Sequence, residues 1–151
     1  MRLAAALLSA LLVSGCTAAT AAAPAPAATT PDAPLLASEG GVLRPIDNGG
    51  RVALHSGYAT VRLSPSPQSM DPLLQVYVFD SAGQAATADI SVDYESLDMD
   101  HGISTAQGVW HEGCYRMGLS FGMAGSWRLV IHVVRAGAEE KVVLVLPWVG
   151  L

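Results

Sequence analysis

Side chains able to hold a soft metal ion crowd into residues 97–127. The run Leu97-Asp98-Met99-Asp100-His101-Gly102 is followed by His111-Glu112-Gly113-Cys114-Tyr115-Arg116-Met117 and then by Met123-Ala124-Gly125-Ser126-Trp127. This stretch contains two of the four histidines, three of the five methionines and one of the two cysteines. Thioether sulfur with neutral imidazole makes a soft, mixed donor set. Cuprous copper favours such ligands, whereas zinc prefers thiolate and imidazole, and calcium or magnesium take oxygens. Met99 and His101 are two apart, so an extended backbone points both the same way. Met123 lies in the turn before Trp127, where a second loop could carry its sulfur to the same end of a domain.

Each of these residues also has a plainer role. Met117 shares a strand face with Tyr115 and Leu119 and reads as core, since methionine fills irregular gaps. Met123, between Gly122 and Gly125, is harder to explain as core, and His101 could simply solvate a loop. His111 and Cys114 form a His-x-x-Cys pair, two ligands short of a structural zinc site. If Tyr115 faces the core, Cys114 and Arg116 face outward. Cys114 is then a copper ligand, an intermolecular disulfide partner, a redox-sensing thiol or a small half-buried residue. Asp98 and Asp100 flank Met99 and read as groups that keep the loop wet and draw cations toward it. His55 and His132 have no ligand-like neighbours in sequence and read as surface or edge positions. Enzyme motifs are missing from the sequence: it has no Gly-x-Ser-x-Gly elbow, phosphate-binding glycine loop, His-Glu-x-x-His helix or dinucleotide fingerprint. The expectation is a protein that is not an enzyme.

The elements that must position these residues read as strands. Tyr58–Leu63 is bounded by Ser56-Gly57 and by Ser64-Pro65-Ser66-Pro67. Leu74–Phe79 is apolar, branched and aromatic, and ends in the turn cluster Asp80-Ser81-Ala82-Gly83. Asp89–Glu95 alternates, with Ile90, Val92 and Tyr94 on one face and acids and serine on the other, the pattern of a half-buried strand. Cys114–Phe121 alternates too, and Trp127–Val134 and Lys141–Leu146 form a final pair. Val42-Leu43 and Val52–Leu54 suit short edge strands. About seven short strands without an amphipathic helical window predict an all-β, antiparallel, immunoglobulin-like sandwich, with Trp127 and Tyr115 as aromatic anchors, one per sheet.

The start of the chain addresses it. Arg2 precedes an apolar stretch, Leu3 to Val13, too short to span a bilayer, and Val13-Ser14-Gly15-Cys16 closes it. That order resembles the lipobox of bacterial lipoproteins, in which the cysteine is acylated and becomes residue one after cleavage. The resemblance implies that residues 1–15 are a signal peptide and that Cys16 carries lipid, which places the protein in the cell envelope outside the cytoplasm, partnered with a membrane through its anchor. Residues 16–35 are almost wholly Ala, Thr and Pro, with Pro24, Pro26, Pro31 and Pro34 forbidding a continuous helix, and read as a tether. Residues 36–151 are of a size for one core. Without Arg2, seven Lys/Arg stand against thirteen Asp/Glu. No basic patch is visible in sequence, which argues against nucleic acid. With Cys16 acylated, Cys114 is left without an intramolecular partner, so packing alone must hold the fold.

The domain is similar to the YtkA-like / FixH group of small envelope proteins, on Gly57-x-Ala59 to Leu63, Met99-Asp100-His101, Gly113-x-Tyr115 and Met123-Ala124-Gly125-Ser126-Trp127. The last two carry most of the likeness, because in that group a Gly-x-Tyr strand is followed by a Met-x-Gly-x-Trp turn opening the next strand. The chain departs from it in having a lipid anchor where FixH-type proteins usually carry a membrane helix. The resemblance implies a sandwich of the cupredoxin or immunoglobulin type and a part in copper handling or haem-copper oxidase assembly. Met99, His101 and Met123 would face Cu(I), and His111 or Cys114 would assist transfer. A second expectation shares the fold without the metal: an envelope module that binds another protein.

Overall fold

The computed structural model of the chain describes residues 34–39 and 41–150. Residues 1–33, on which the expectations of a signal peptide, a lipidated Cys16 and a tether fall, lie outside the described residues. Eleven strands follow one another: β1 Leu35–Glu39, β2 Val42–Ile46, β3 Arg51–Leu54, β4 Gly57–Ser64, β5 Leu73–Asp80, β6 Asp89–Ser96, β7 Ser104–Gln107, β8 Val109–His111, β9 Cys114–Gly118, β10 Gly125–Arg135 and β11 Ala138–Val149. They form two antiparallel sheets, one ordered β2-β1-β11-β10-β6-β7 and the other β3-β4-β5-β9-β8. The expected β-sandwich is therefore the fold.

The order within the sheets is that of an immunoglobulin domain. If β4, β5, β6, β8, β9, β10 and β11 take the letters A to G, the sheets are A-B-E-D and C-F-G, with β7 as an added C′ strand. Three strands extend this frame: β3 on the outer edge of β4, and β1 with β2 beyond β11. Those additions, with β7, account for eleven strands where about seven were expected. The chain changes sheets between β7 and β8 at Gly108, whose N–H donates to the Ile90 carbonyl at 2.8 Å. No helix among the described residues is long and apolar enough to cross a membrane.

Period-two alternation builds the core. In β6, Ile90, Val92 and Tyr94 turn inward, and in β10 Trp127, Leu129, Ile131 and Val133 meet them across the sandwich from Val61, Leu63, Leu74 and Val76. Trp127 and Tyr115 are both buried, one from each sheet as expected. Burying such aliphatic and aromatic side chains contributes roughly 1.5–3 kcal/mol each. The alternation Tyr115, Met117, Leu119, Phe121 continues past the end of β9. There Leu119 N–H donates to Pro72 O at 3.0 Å and Phe121 N–H to Met70 O at 2.8 Å, so the β4–β5 loop satisfies a backbone that no strand pairs.

Two expectations about single residues are corrected. Cys114 was expected on the exposed side of its strand, and it is 1% exposed. Alternation does turn it away from Tyr115, but the thiol donates to His111 O at 3.3 Å, and continuing the β5–β9 register sets Tyr77 beside it. His132 was expected at a surface or edge. It lies on β10, a central strand, and its side chain is only 17% exposed.

Candidate functional site

One end of the sandwich is built from the β4–β5 loop, the β6–β7 loop (97–103), the β9–β10 loop (119–124) and the last residues of β11. Register places them together: Ser64 pairs with Leu73, Leu73 with Gly118, Trp127 with Ser96 and Gly125 with Val149. The methionine–histidine loop and the Met123 turn thus meet through strand pairing, although His101 and Met123 are 22 positions apart in the chain.

Contacts to the backbone fix the two loops. Leu97 N–H donates to Ser126 O at 2.9 Å, and Asp98 Oδ2 accepts from Ser126 N–H at 2.7 Å. Ser96 Oγ accepts from the N–H groups of Asp98 and Met99. Gly125, with φ +143°, lets the carboxylate approach: a Cβ there would stand 2.5 Å from Asp98 Oδ2. Asp100 Oδ1 accepts from Gly102 N–H at 3.4 Å. Asp98 and Asp100 therefore also shape the loop, in addition to the wetting and cation-drawing role expected of them.

On the other side of the pocket Trp127 does the fixing. Its ring packs on Phe121 at 4.8 Å and on Tyr94 at 6.2 Å, and its Nε1–H donates to Met123 O at 3.2 Å. The Met-x-Gly-x-Trp segment is thus a self-closing turn. His101 and Met123 line one pocket of about 350 Å³, with Ser104, Ser120 and Trp127. Met123 also packs part of its side chain against the core. Met99 is 49% exposed on the same loop as His101 and is outside the pocket lining.

His111 and Cys114 are elsewhere. They pair across a two-residue hairpin turn, Glu112 (φ 47°) and Gly113 (φ 88°), both left-handed as a type I′ turn requires. That turn is at the opposite end of β9 from the Met123 loop, and five residues of strand at about 3.3 Å per residue separate them by roughly 13 Å. The Cys114 thiol donates to His111 O at 3.3 Å, and the His111 ring faces Glu112 at 3.5 Å. Neither residue can share an ion with His101 and Met123.

Two features were missed in sequence. His132 lies between Asp93 Oδ2, 3.2 Å from Nε2, and Glu139, which meets Nδ1. Thr105 donates to Asp93 Oδ1 at 2.7 Å. This network joins four strands, and no local spacing announces it, because β6, β7, β10 and β11 meet only in the sheet. The second feature is a set of arginines gathered on the outer face of the five-stranded sheet from β3, β4 and β9, which corrects the view that the chain has no basic patch.

Among the described residues no three His, Cys, Asp or Glu side chains converge to hold an ion. His101 and Met123 bring an imidazole and a thioether to the loop end, donor types of the kind Cu(I) takes, with the carboxylates of Asp98 and Asp100 on the same loop. Comparison with models of known protein families, with curated proteins and with solved structures finds no match for the chain.

Proposed function

We propose that this protein is a lipid-anchored, non-enzymatic component of the cell envelope that binds Cu(I) and passes it on, the role that the resemblance to the YtkA-like / FixH group implies. One observation carries the reading: His101 and Met123, from separate loops, line a single pocket, with Met99 exposed on the His101 loop. His101 supplies imidazole nitrogen and Met123 thioether sulfur from the wall. Met99, free to swing, closes the set. A site with one donor packed against the core, Met123, and two on the exposed 97–103 loop, Met99 and His101, suits hand-over, because movement of that loop alone would open it. Acylation of Cys16 would keep that exchange near a membrane.

Titration of the full chain with Cu(I) against a chromophoric chelator tests the reading. The His101→Ala, Met123→Ala double variant should bind at least tenfold more weakly, and Met99→Ala should weaken binding less. If the double variant competes like the parent while remaining folded, the proposal fails. A second reading, a metal-free interaction module, is favoured by the packing of Met123 against the core and by the absence of Met99 from the pocket lining.

A further inference from the structure

The two outer faces of the sandwich differ in charge. On the six-stranded sheet the charges come in answering sets: Glu95 with Arg128, Asp93 and Glu139 with His132, and Glu139 with Lys141. On the five-stranded sheet, β3, β4, β8 and β9 contain no acid. β5 has one, Asp80, at its last position, where Oδ1 accepts from the N–H groups of Ala82 and Gln84 at 2.9 Å and shapes the turn.

Arg51, Arg62 and Arg116 stand on this face. Their strand neighbours Val52, Val61, Leu63, Tyr115 and Met117 are buried, so the arginines project away from the core. Arg62, Gln75 and Arg116 lie in one row across β4, β5 and β9, which places the two arginine Cα atoms roughly 10 Å apart. Thr60 and Tyr77 occupy the adjoining row, and a depression of about 490 Å³ opens beside Arg62 between Asn48, Thr60 and Tyr77. Arg51 lies over the Tyr58 ring at 4.4 Å, and Tyr58 stacks on Phe79 at 4.8 Å, so one guanidinium is held flat by an aromatic pair. Among the described residues the ion pairs on this face both fall on the exposed turn residue Glu112, from Arg116 at 3.6 Å and from His111 at 3.5 Å, and the buried Nε of Arg116 has no hydrogen-bond partner.

We propose that the outer face of the five-stranded sheet is a docking surface for an acidic protein, whose carboxylates are taken up by Arg51, Arg62 and Arg116. Three guanidinium groups with one acid among them repel each other, and an acidic surface relieves that repulsion. A guanidinium matches a carboxylate in two parallel hydrogen bonds. Arginine and tyrosine are the types enriched at binding hot spots, and lysine, which is depleted there, is absent from these strands. A second copy is a poor occupant, because three acids of the other face, Asp93, Glu95 and Glu139, already have partners and a face-to-opposite-face contact would not close. A lipid surface fits less well, since Val109, at the edge, is the one large aliphatic exposed here.

The test uses the full chain and a fluorescent peptide containing six consecutive glutamates, followed by anisotropy. Binding should weaken about tenfold between 50 and 300 mM salt. Arg51→Glu with Arg62→Glu, both exposed and so compatible with folding, should weaken it at least tenfold at 50 mM. Arg128→Glu with Lys141→Glu, on the other face, should change it less than twofold. No binding, or equal loss from both pairs of substitutions, overturns the proposal. So does tighter binding to vesicles rich in phosphatidylglycerol or to a single-stranded oligonucleotide than to the peptide. Salt-sensitive self-association abolished by Arg51→Glu with Arg62→Glu would overturn it in favour of a second copy.

Discussion

Asp93 and His132 illustrate how much of a side chain's role depends on neighbours that sequence does not name. The hydroxyl of Thr105 donates to Asp93, and this, with the opposing cost of burial and the help of the His132 ring, holds its carboxyl below the ordinary range. A carboxylate stabilised in the folded state adds stability above the unfolded value, and that contribution disappears as pH falls through the folded value. Asp93→Asn should therefore lower stability at pH 7 by about 0.5–1 kcal/mol, a small figure because the side chain is about a third exposed and screened. The gap between variant and parent should close as pH falls from about 5 to about 2. Urea unfolding across that range measures it, and a gap independent of pH would exclude the ion-pair explanation. Cys114 shows the same dependence on context. Alternation placed its face correctly, but only the pairing of β9 with β5 brings Tyr77 beside the thiol, so exposure was misjudged where direction was not.

At the scale of elements, strands with a strict two-residue period were legible almost to their ends: β6 was expected over Asp89–Glu95 and runs Asp89–Ser96. Two of the strands that sequence left unassigned have no buried apolar face. β7 (Ser-Thr-Ala-Gln) and β8 (Val-Trp-His) are edge strands, mostly exposed, and their pairing is dictated by the neighbours. β1 was hidden because Leu35 and Ala37 continue a tether-like composition. The candidate site was legible in residue type, and the meeting of His101 with Met123 followed from strand order; the distance of His111 and Cys114 from it did not, since a hairpin turn sends them to the other end. The loop itself rests on Asp98. Asp98→Ala removes a charged acceptor from Ser126 N–H and should cost about 1 kcal/mol. Amide exchange should then speed up over 97–102 and stay unchanged at the Glu112-Gly113 turn. Equal acceleration at both ends would show that the loss is global and that Asp98 has no particular hold on the loop.

Considered as a whole, the molecule is held by packing between two sheets, and the described residues contain one free cysteine that reports on that packing. β9 lies inside its sheet, between β5 and β8, and Cys114 is held from both sides, by His111 O of β8 and by the neighbouring Tyr77 of β5. Thiol labelling should therefore track unfolding of the entire sandwich. With Cys16 replaced by serine, the rate of reaction with an aromatic disulfide reagent should be at least about a thousandfold below that of the urea-unfolded chain, because only a small fraction is unfolded at any moment. The free energy calculated from labelling should fall with urea on the same slope as the global transition. A labelling rate indifferent to urea would mean that β8 and β9 peel away together in a local opening. Tyr77→Ala separates the two cases. If Tyr77 is the cover, the variant labels at least tenfold faster in the native state while its unfolding transition shifts only by the packing lost from an outer-face ring.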